Sequence, residues 1–321
     1  MTMPLVWALA RRLAIFVGTV VAASVVIFLI VQALPGDVAV ATLGTGATPE
    51  AVAALRAQWG LDRPMAIRYL EWVGGMLHGD LGASYATGES VVSQIAPRLA
   101  VTAWLVGFSV PLSLALALPL GLFSAMERRR WSGALVNAAS HVGLAIPVFF
   151  AGTLLTILFA VKLGWFPANG YVPLTTSFGG WVSHLVLPVL SIVLVQGCFL
   201  VRYVRAGFID VLTEDYYRTA RAVGWTKWRG LIRHGTRNVA VSLVTVLGMQ
   251  IASLLVGAIL VEQVFVLPGL GTLLVRSALS KDLMVVQGVV MLLVFVVLTV
   301  NFLVDLAYLA IDPRVAKGVR P

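Results

Sequence analysis

Charged residues are scarce in this sequence. Only 12% of its 321 residues are Asp, Glu, Lys or Arg, and 60% are hydrophobic. Soluble domains normally carry about twice that share of charge, so a chain of this length has too little polar surface for a water-exposed globule. Intrinsic disorder is excluded as well, because disordered chains are poor in apolar residues. A polytopic membrane protein is the class that remains.

Cysteine, histidine and the common catalytic motifs are also sparse. The single cysteine, Cys198, can form neither an internal disulfide nor a zinc cluster. None of the four lysines is followed by Ser or Thr, which excludes the Gly-Lys-Ser/Thr of a phosphate-binding loop. The four histidines fall in different segments without metal-ligand spacing. The sequence therefore predicts no catalytic residue and no metal site.

Six apolar runs are long enough to cross a bilayer, which needs about 20 residues per helix. None of them alternates with period two, so we expect helices rather than barrel strands. The first run lacks a small-residue cleavage site, which predicts a retained anchor rather than a cleaved signal. The predicted fold is an all-α polytopic membrane protein whose six transmembrane helices cover residues 15–34, 99–126, 131–161, 181–201, 239–261 and 283–304.

The basic residues predict how these spans are oriented. With the N-terminus placed inside, sixteen of the 23 lysines and arginines fall in inside segments and seven in outside segments. Cytoplasmic loops carry such an excess, so both termini are expected in the cytoplasm. Topology and contact with the lipid bilayer then explain the net charge of +9, and nucleic acid is not an expected partner.

The outside segment after the first span is too long for a simple connector. It covers residues 35–94 and is expected to form a helical extracytoplasmic loop. Thr48 and Pro49 predict the cap and the first residue of a helix, residues 65–77 form an amphipathic stretch, and a short helical pattern lies near residues 91–95. Either a lid packed on the spans or a docking surface for an external partner fits this composition.

An inside segment, residues 206–238, separates the fourth and fifth predicted spans. Thr213 and the acidic residues after it predict a helix start, and Gly224 predicts the helix end. Thr226 predicts the cap of a second short helix that leads into the fifth span. A capped helix outside the membrane suits docking into a groove of another protein. An interfacial helix lying on lipid headgroups is the alternative.

This inside segment resembles a known family. The resemblance rests on Asp215-Tyr216-Tyr217-Arg218-Thr219-Ala220-Arg221-Ala222-Val223-Gly224, with Arg233-His234 and Arg237-Asn238 behind it. The motif is similar to the cytoplasmic coupling loop of type I ABC importers, in particular the permeases of the dipeptide/oligopeptide/nickel group. Arg218-Thr219-Ala220 stands where that loop has Glu-Ala-Ala, and Ser242 stands where the family usually has proline.

Further motifs, in order along the chain, resemble the B-type member of these paired permeases. They are Arg11-Arg12, Leu34-Pro35-Gly36-Asp37, Gly60-Leu61-Asp62-Arg63-Pro64, Gly79-Asp80-Leu81-Gly82, Leu163-Gly164-Trp165-Phe166-Pro167, His184-Leu185-Val186-Leu187-Pro188, and Asn301-Phe302-Leu303-Val304-Asp305 with Asp312-Pro313-Arg314.

The resemblance implies a pore-forming permease subunit in a bacterial inner membrane, importing peptides or related solutes. The implied partners are a C-type permease, an external substrate-binding protein, and two cytoplasmic ATPase subunits that carry ATP and Mg, so the chain is not itself an enzyme. The implied coupling residues are Asp215, Tyr217, Arg218, Thr219, Ala220, Arg221, Gly224 and Trp225. A stand-alone six-span carrier or channel is the alternative.

Polar residues inside spans are candidates for the transport pathway, although hydrogen bonding between helices also explains them. The turn after the fifth span lies beside the outer gate in this family. The pathway candidates are Asn137, His141, Gln196, Gln250, Glu262 and Asn301, and the gate candidates are Pro268, Gly269 and Gly271.

Four parts of the chain are expected: an anchor and first span (1–34), the outer loop (35–94), a five-span type I core (95–311) and a cytoplasmic tail (312–321).

Overall fold

The part of the chain that the computed structural model describes is mostly helical. That part comprises residues 3–33, 38–44 and 46–311, with the backbone alone at residues 3–6, 8, 234, 237, 238, 241 and 307–311. The motif at residues 34–37 and the predicted tail at residues 312–321 lie outside the described residues, as do the side chains of His234, Arg237 and Asn238.

Twelve α-helices and one π-helical turn, Thr156–Lys162, follow one another in the described part. The α-helices are α1 (Met3–Ala33), α2 (Val38–Leu43), α3 (Pro49–Gln58), α4 (Met65–Leu77), α5 (Val91–Met126), α6 (Trp131–Ala145), α7 (Val148–Leu155), α8 (Phe178–Thr213), α9 (Asp215–Ala222), α10 (Lys227–Val264), α11 (Leu270–Leu279) and α12 (Leu283–Ile311).

Five of these helices are long and apolar enough to cross a membrane. They correspond to the first, second, fourth, fifth and sixth predicted runs, which confirms a multi-pass helical membrane protein. Their apolar segments are Leu9–Ala33, Val91–Met126, Phe178–Thr213, Ser242–Val264 and Leu283–Leu306.

The third predicted run, residues 131–161, is not a single helix. It forms α6 and then α7 with its π-helical turn, and the two halves are bent by 102°. Pro147 causes the break, because proline lacks an N–H and forces the preceding residue out of the helical region. Ile146 accordingly has extended backbone angles of φ −87° and ψ 119°. The described residues therefore contain five candidate spans, or six if the bent pair counts as one.

Two predicted short helices prove to be the first turns of long ones. The pattern near residues 91–95 opens α5, and the helix expected after Thr226 is the start of α10, which continues to Val264. A helix that has nucleated extends at little cost, so it can begin well before its apolar run. Hydrophobicity therefore marked the membrane-embedded part of each helix and missed its beginning.

The chain divides into two compact units, the first of which comprises Met1–Thr102 and Pro268–Phe302. In one cluster of this unit, α1 and α4 pack with α12 through Ile27, Phe28, Val31, Trp72, Val286 and Met291. In a second cluster, the start of α5 meets α11 and α12 through Val91, Ile95, Leu270, Leu273, Val285 and Val289.

The second unit comprises Ala103–Leu267 and Leu303–Pro321 and is centred on α8. Its main cluster joins α5, α8, α9 and α10. α5 and α8 approach closely at Gly121, where an added Cβ would lie 2.6 Å from the Val204 side chain. Small residues permit such close contact between membrane helices. This packing provides the base on which α9 is held.

Candidate functional site

The segment between α8 and α10 contains α9, and its start differs from the prediction in one residue. Thr213 is the last residue of α8, and its hydroxyl donates to the Asp210 carbonyl at 2.7 Å. Glu214 occupies the N-cap of α9 with extended backbone, and its side chain makes no capping hydrogen bond. The prediction of Thr213 as the cap is wrong, because its hydroxyl is already engaged by the preceding helix.

The end of α9 at Gly224 agrees with the predicted turn. Gly224 has φ +96°, in the left-handed region that glycine tolerates best. The N–H of Trp225 donates to the Ala220 carbonyl at 3.1 Å, and the N–H of Gly224 donates to the Arg221 carbonyl at 3.1 Å. This pair of bonds is a Schellman motif, which satisfies the last carbonyls of the helix.

The start of α10 follows directly, with Thr226 as its cap. The Thr226 hydroxyl accepts from the Arg229 N–H at 3.3 Å, as predicted. The Arg229 guanidinium also lies 5.1 Å from the centre of the Trp225 ring, a cation–π distance. Between Glu214 and Thr226 the backbone is therefore ordered by a turn and a cap, as a rigid helix requires.

One face of α9 is buried against the second unit. Tyr217 and Ala220 are 6% and 9% exposed, and Tyr217 belongs to the same cluster as the fully buried Leu231 of α10. The Tyr217 ring lies 3.4 Å from the position that a Cβ would take at Gly230. The sequence grouped these two residues with the coupling contacts, yet their side chains face inward.

The other face of α9 is exposed and basic. Arg218, Thr219 and Arg221 all lie on it, and Val223 just beyond is 75% exposed. Arg218 lies 3.4 Å from the Asp215 carboxylate, but both side chains are so exposed that this pair contributes little to stability. Arg221 donates to the Trp225 carbonyl and so reinforces the Schellman turn.

Two of the pathway candidates meet in one cavity of the second unit. Gln196 of α8 and Gln250 of α10 both line a space of about 420 Å³ beside Pro147, where the break between α6 and α7 opens the packing. Gln196 is 8% exposed, and its amide nitrogen has no hydrogen-bond partner. Hydrogen bonding between helices therefore does not account for this nitrogen.

The other pathway candidates do not join that cavity. His141 and Asn301 are exposed and Asn137 is half-buried. Glu262 is fully buried near the end of α10. Sequence position alone could not separate these residues from Gln196 and Gln250, because the separation depends on which helix faces pack together.

The gate candidates form the junction between α10 and α11. Gly269 is the N-cap of α11, and the N–H of Leu270 donates to the Thr102 hydroxyl at 3.0 Å. Gly271 is buried within α11 and is not part of the turn, so the turn in the structure is shorter than the one predicted. The hydrogen bond ties this junction to α5.

A buried carboxylate that the sequence did not single out binds the loop before α5. Asp282 is 4% exposed and accepts the Ser84 hydroxyl at 2.5 Å and the Tyr85 N–H at 3.1 Å. Burial raises the pKa of the Tyr85 phenol, although the neighbouring Arg68 opposes the shift. Ser84 and Asp282 are 198 positions apart, so no local pattern reveals their contact.

Comparison with known proteins identifies the family. Residues 117–317 match the family described as a binding-protein-dependent transport system inner membrane component, and residues 5–106 match the N-terminal family of such membrane components. The chain belongs to this permease family.

Full-length relatives agree with that assignment. A Brucella abortus permease named for a peptide transport system is 38% identical, with 95% of this chain and 97% of the relative covered. The glutathione transport system permease protein GsiC of Salmonella typhimurium is 36% identical over the same shares. A solved structure described as an amino acid ABC transporter with histidines is 15% identical, with 67% of this chain and 92% of that one covered, at a TM-score of 0.49.

The permease is thus the membrane component of an ABC importer. ATP hydrolysis in such systems takes place on separate subunits, so the permease is not itself an enzyme. The family implies an ATPase, a substrate-binding protein and another permease as partners. Among the described residues, no three His, Cys, Asp or Glu side chains come together as a metal site.

Proposed function

We propose that the permease forms half of the pathway of an importer for peptides or related solutes. Relatives named for peptide and glutathione transport support this class of cargo. Both termini lie in the cytoplasm, and α6 and α7 cross the membrane together as the third span. Residues 1–34 are the anchor and first span, residues 35–94 the extracytoplasmic segment, residues 95–311 the type I core and residues 312–321 the cytoplasmic tail.

α9 acts as the coupling helix in this proposal. The observation that carries it is the division of α9 into two faces, one buried through Tyr217 and Ala220 and one exposing Arg218, Thr219 and Arg221. A helix held on one side by apolar packing and free on the other transmits a partner's displacement to the spans behind it. The exposed face contacts the ATPase, and the buried residues position it.

The proposed partners are of the kinds that the family implies. A C-type permease completes the pathway, and two ATPase subunits in the cytoplasm bind the coupling helices with ATP and Mg. An external substrate-binding protein docks on the outer segment, which the Asp282 carboxylate helps to order through Ser84 and Tyr85. Gln196 and Gln250 line the pathway, and the junction of α10 and α11 belongs to the outer gate.

Cysteine labelling tests the orientation. In a Cys198→Ser background, Thr219→Cys places a thiol on the exposed face of α9, and Ala86→Cys places one on the exposed surface of the outer segment. A membrane-impermeant maleimide should label Ala86→Cys in intact cells and Thr219→Cys only after the membrane is opened. Labelling of Thr219→Cys in intact cells would exclude a cytoplasmic coupling helix.

Purification tests the function itself. The tagged permease should co-purify with an ATPase and a second permease, and a crosslinker at Thr219→Cys should join it to the ATPase. A homo-oligomer that transports without ATP would instead identify a stand-alone carrier.

A further inference from the structure

A basic groove lies beside α9 in the second unit. It has a volume of about 470 Å³ and is bounded by the end of α5, the turn before α6, the end of α8, α9 and the first turn of α10. Five cationic side chains line it with a single carboxylate: Arg128, Arg129, Arg130, Arg221, Lys227 and Glu127. The single carboxylate neutralises only a small part of the positive charge in the groove.

The turn that carries three of these arginines is closely held. The buried Ser124 hydroxyl donates to the Gly133 carbonyl at 3.0 Å, and the N–H of Arg130 donates to the Glu127 carbonyl at 2.8 Å. A Cβ at Gly133 would lie 2.3 Å from the Glu127 carbonyl oxygen, so only glycine permits this approach. The arginines therefore project from a fixed backbone, which reduces the entropy lost when they bind a ligand.

Most of the positive charge in the groove has no internal partner. The one carboxylate, Glu127, lies 3.2 Å from Arg130 and is engaged by it. The side chains of Arg128, Arg129 and Lys227 make no ion pair or hydrogen bond with the residues that the structure describes. Like charges held together attract an anion strongly.

Aromatic residues indicate where this groove lies relative to the bilayer. Trp131 follows Arg130 directly and is 80% exposed, and Trp228, which lines the groove, is 44% exposed. Trp is enriched at the level of lipid headgroups, and the apolar run of α6 begins at the same point. The groove thus combines headgroup depth with unpaired positive charge.

We propose that this groove binds the phosphate of an anionic phospholipid headgroup. The inference rests on the proposed cytoplasmic position of α9, since anionic lipids concentrate in the cytoplasmic leaflet and basic pockets there bind their headgroups. The bound headgroup links the turn at Arg128 and Arg129 to Lys227, which begins α10 directly after the coupling helix. Phospholipid in that leaflet then helps to hold α9 in place.

Lipid binding to the assembled importer tests the site. The full-length permease is co-purified with its partner subunits and placed in nanodiscs of phosphatidylcholine with a titrated share of phosphatidylglycerol, and bound lipid is counted by native mass spectrometry. Arg128→Gln with Arg129→Gln should lower the apparent affinity for phosphatidylglycerol roughly 25-fold, from about fivefold for each base removed. Lys227→Gln, on another helix, should lower it about fivefold by the same reasoning.

The matched control is Arg202→Gln with Arg233→Gln. These two arginines are exposed, do not line the groove, and carry the same charge on the same proposed side of the membrane. The control should bind phosphatidylglycerol within about twofold of the unmodified permease, since neither side chain reaches the bound phosphate. An equal loss in both double variants would overturn the site, because bulk charge would then explain the binding.

Two further outcomes decide the identity of the ligand and its dependence on the proposed function. Displacement of the lipid by millimolar inorganic phosphate would assign the groove to a soluble anion and overturn the lipid proposal. Unchanged lipid binding in the Arg128 and Arg129 variant, with ATPase subunits still co-purifying, would overturn this inference alone. Labelling of α9 from outside the cell would instead overturn the proposed function, and this site with it.

Discussion

Two groups of helix ends in the permease have the same type of hydrogen-bonded turn, but they differ in the residue that takes its left-handed position. α3, α4 and α9 place Gly60, Gly79 and Gly224 there, at φ +67°, +79° and +96°. α10 and α11 instead place Val266 and Lys281 there, at φ +52° and +58°. In all five turns, the residue after the left-handed one donates its backbone N–H to the carbonyl five residues before it, at 2.8–3.1 Å.

The difference lies in backbone strain. A residue other than glycine in this conformation costs about 1–2 kcal/mol, and a β-branched residue such as Val266 is a genuine outlier. The Val266 side chain is 54% exposed, whereas its neighbours Phe265 and Leu267 are almost fully buried and anchor the turn. Lys281 precedes Asp282, whose carboxylate is bound by Ser84 and Tyr85.

Backbone strain is therefore unevenly distributed along the chain. The turn after α9 is relaxed, whereas the turns before and after α11, which contains the gate candidate Gly271, are strained. Strain persists only where the surrounding structure enforces it. A relaxed end fits the role proposed for α9 as a rigid coupling helix, and strained ends fit the role proposed for the neighbouring junction in the outer gate.

The largest effect is expected from Tyr217→Ala. This substitution tests whether the relaxed turn alone keeps α9 in its position. Removing this buried ring should destabilise the packing of α9 by about 3 kcal/mol and reduce uptake at least roughly tenfold, since a loosened helix cannot transmit displacement. Proteolysis of residues 214–226 in inverted vesicles, together with uptake assays, measures both. Tyr216→Ala, at a 38% exposed neighbour, is the control; equal effects of the two variants would show that the turn, not the buried face, holds the helix.

Gly224→Val breaks the relaxed turn itself. Nothing lies within 4 Å of the new Cβ, so the penalty is backbone strain alone, about 2 kcal/mol. Membrane insertion should be unchanged, while ATP hydrolysis becomes uncoupled from uptake. Gly224→Asn should restore most of the uptake, because asparagine tolerates the left-handed region. Unmodified uptake in the valine variant would refute a role for this turn.

Val266→Gly is expected to have the smallest effect and to act in the opposite direction. Relief of strain outweighs the greater entropy of unfolded glycine, so the melting temperature should rise by a few degrees, for a gain of up to about 1 kcal/mol. Val223→Gly is the matched control in the other turn, since Val223 has an ordinary φ of −78° and an exposed side chain. Stabilisation by both changes, or by neither, would remove the distinction between the two turns.

Local features of the candidate site were predictable from the sequence. Gly224 and Thr226 marked their turn and cap, because helix ends depend on backbone preferences within a few residues. The same reasoning failed at Thr213, whose hydroxyl served the preceding helix. Pro147 indicated a kink within residues 131–161, but it did not indicate a bend as large as 102°. A proline signals an interruption, but the packing around it sets the angle.

Composition and periodicity were sufficient to establish a helical membrane protein, because lipid accepts only backbones whose hydrogen bonds are satisfied within the protein. The motif around α9 was likewise enough to indicate its family. Which of two adjacent tyrosines is buried, which glutamines share a cavity, and how Asp282 reaches Ser84 emerged from the folded chain alone. Those features depend on contacts between residues far apart in sequence, and the local sequence around each residue does not indicate such contacts.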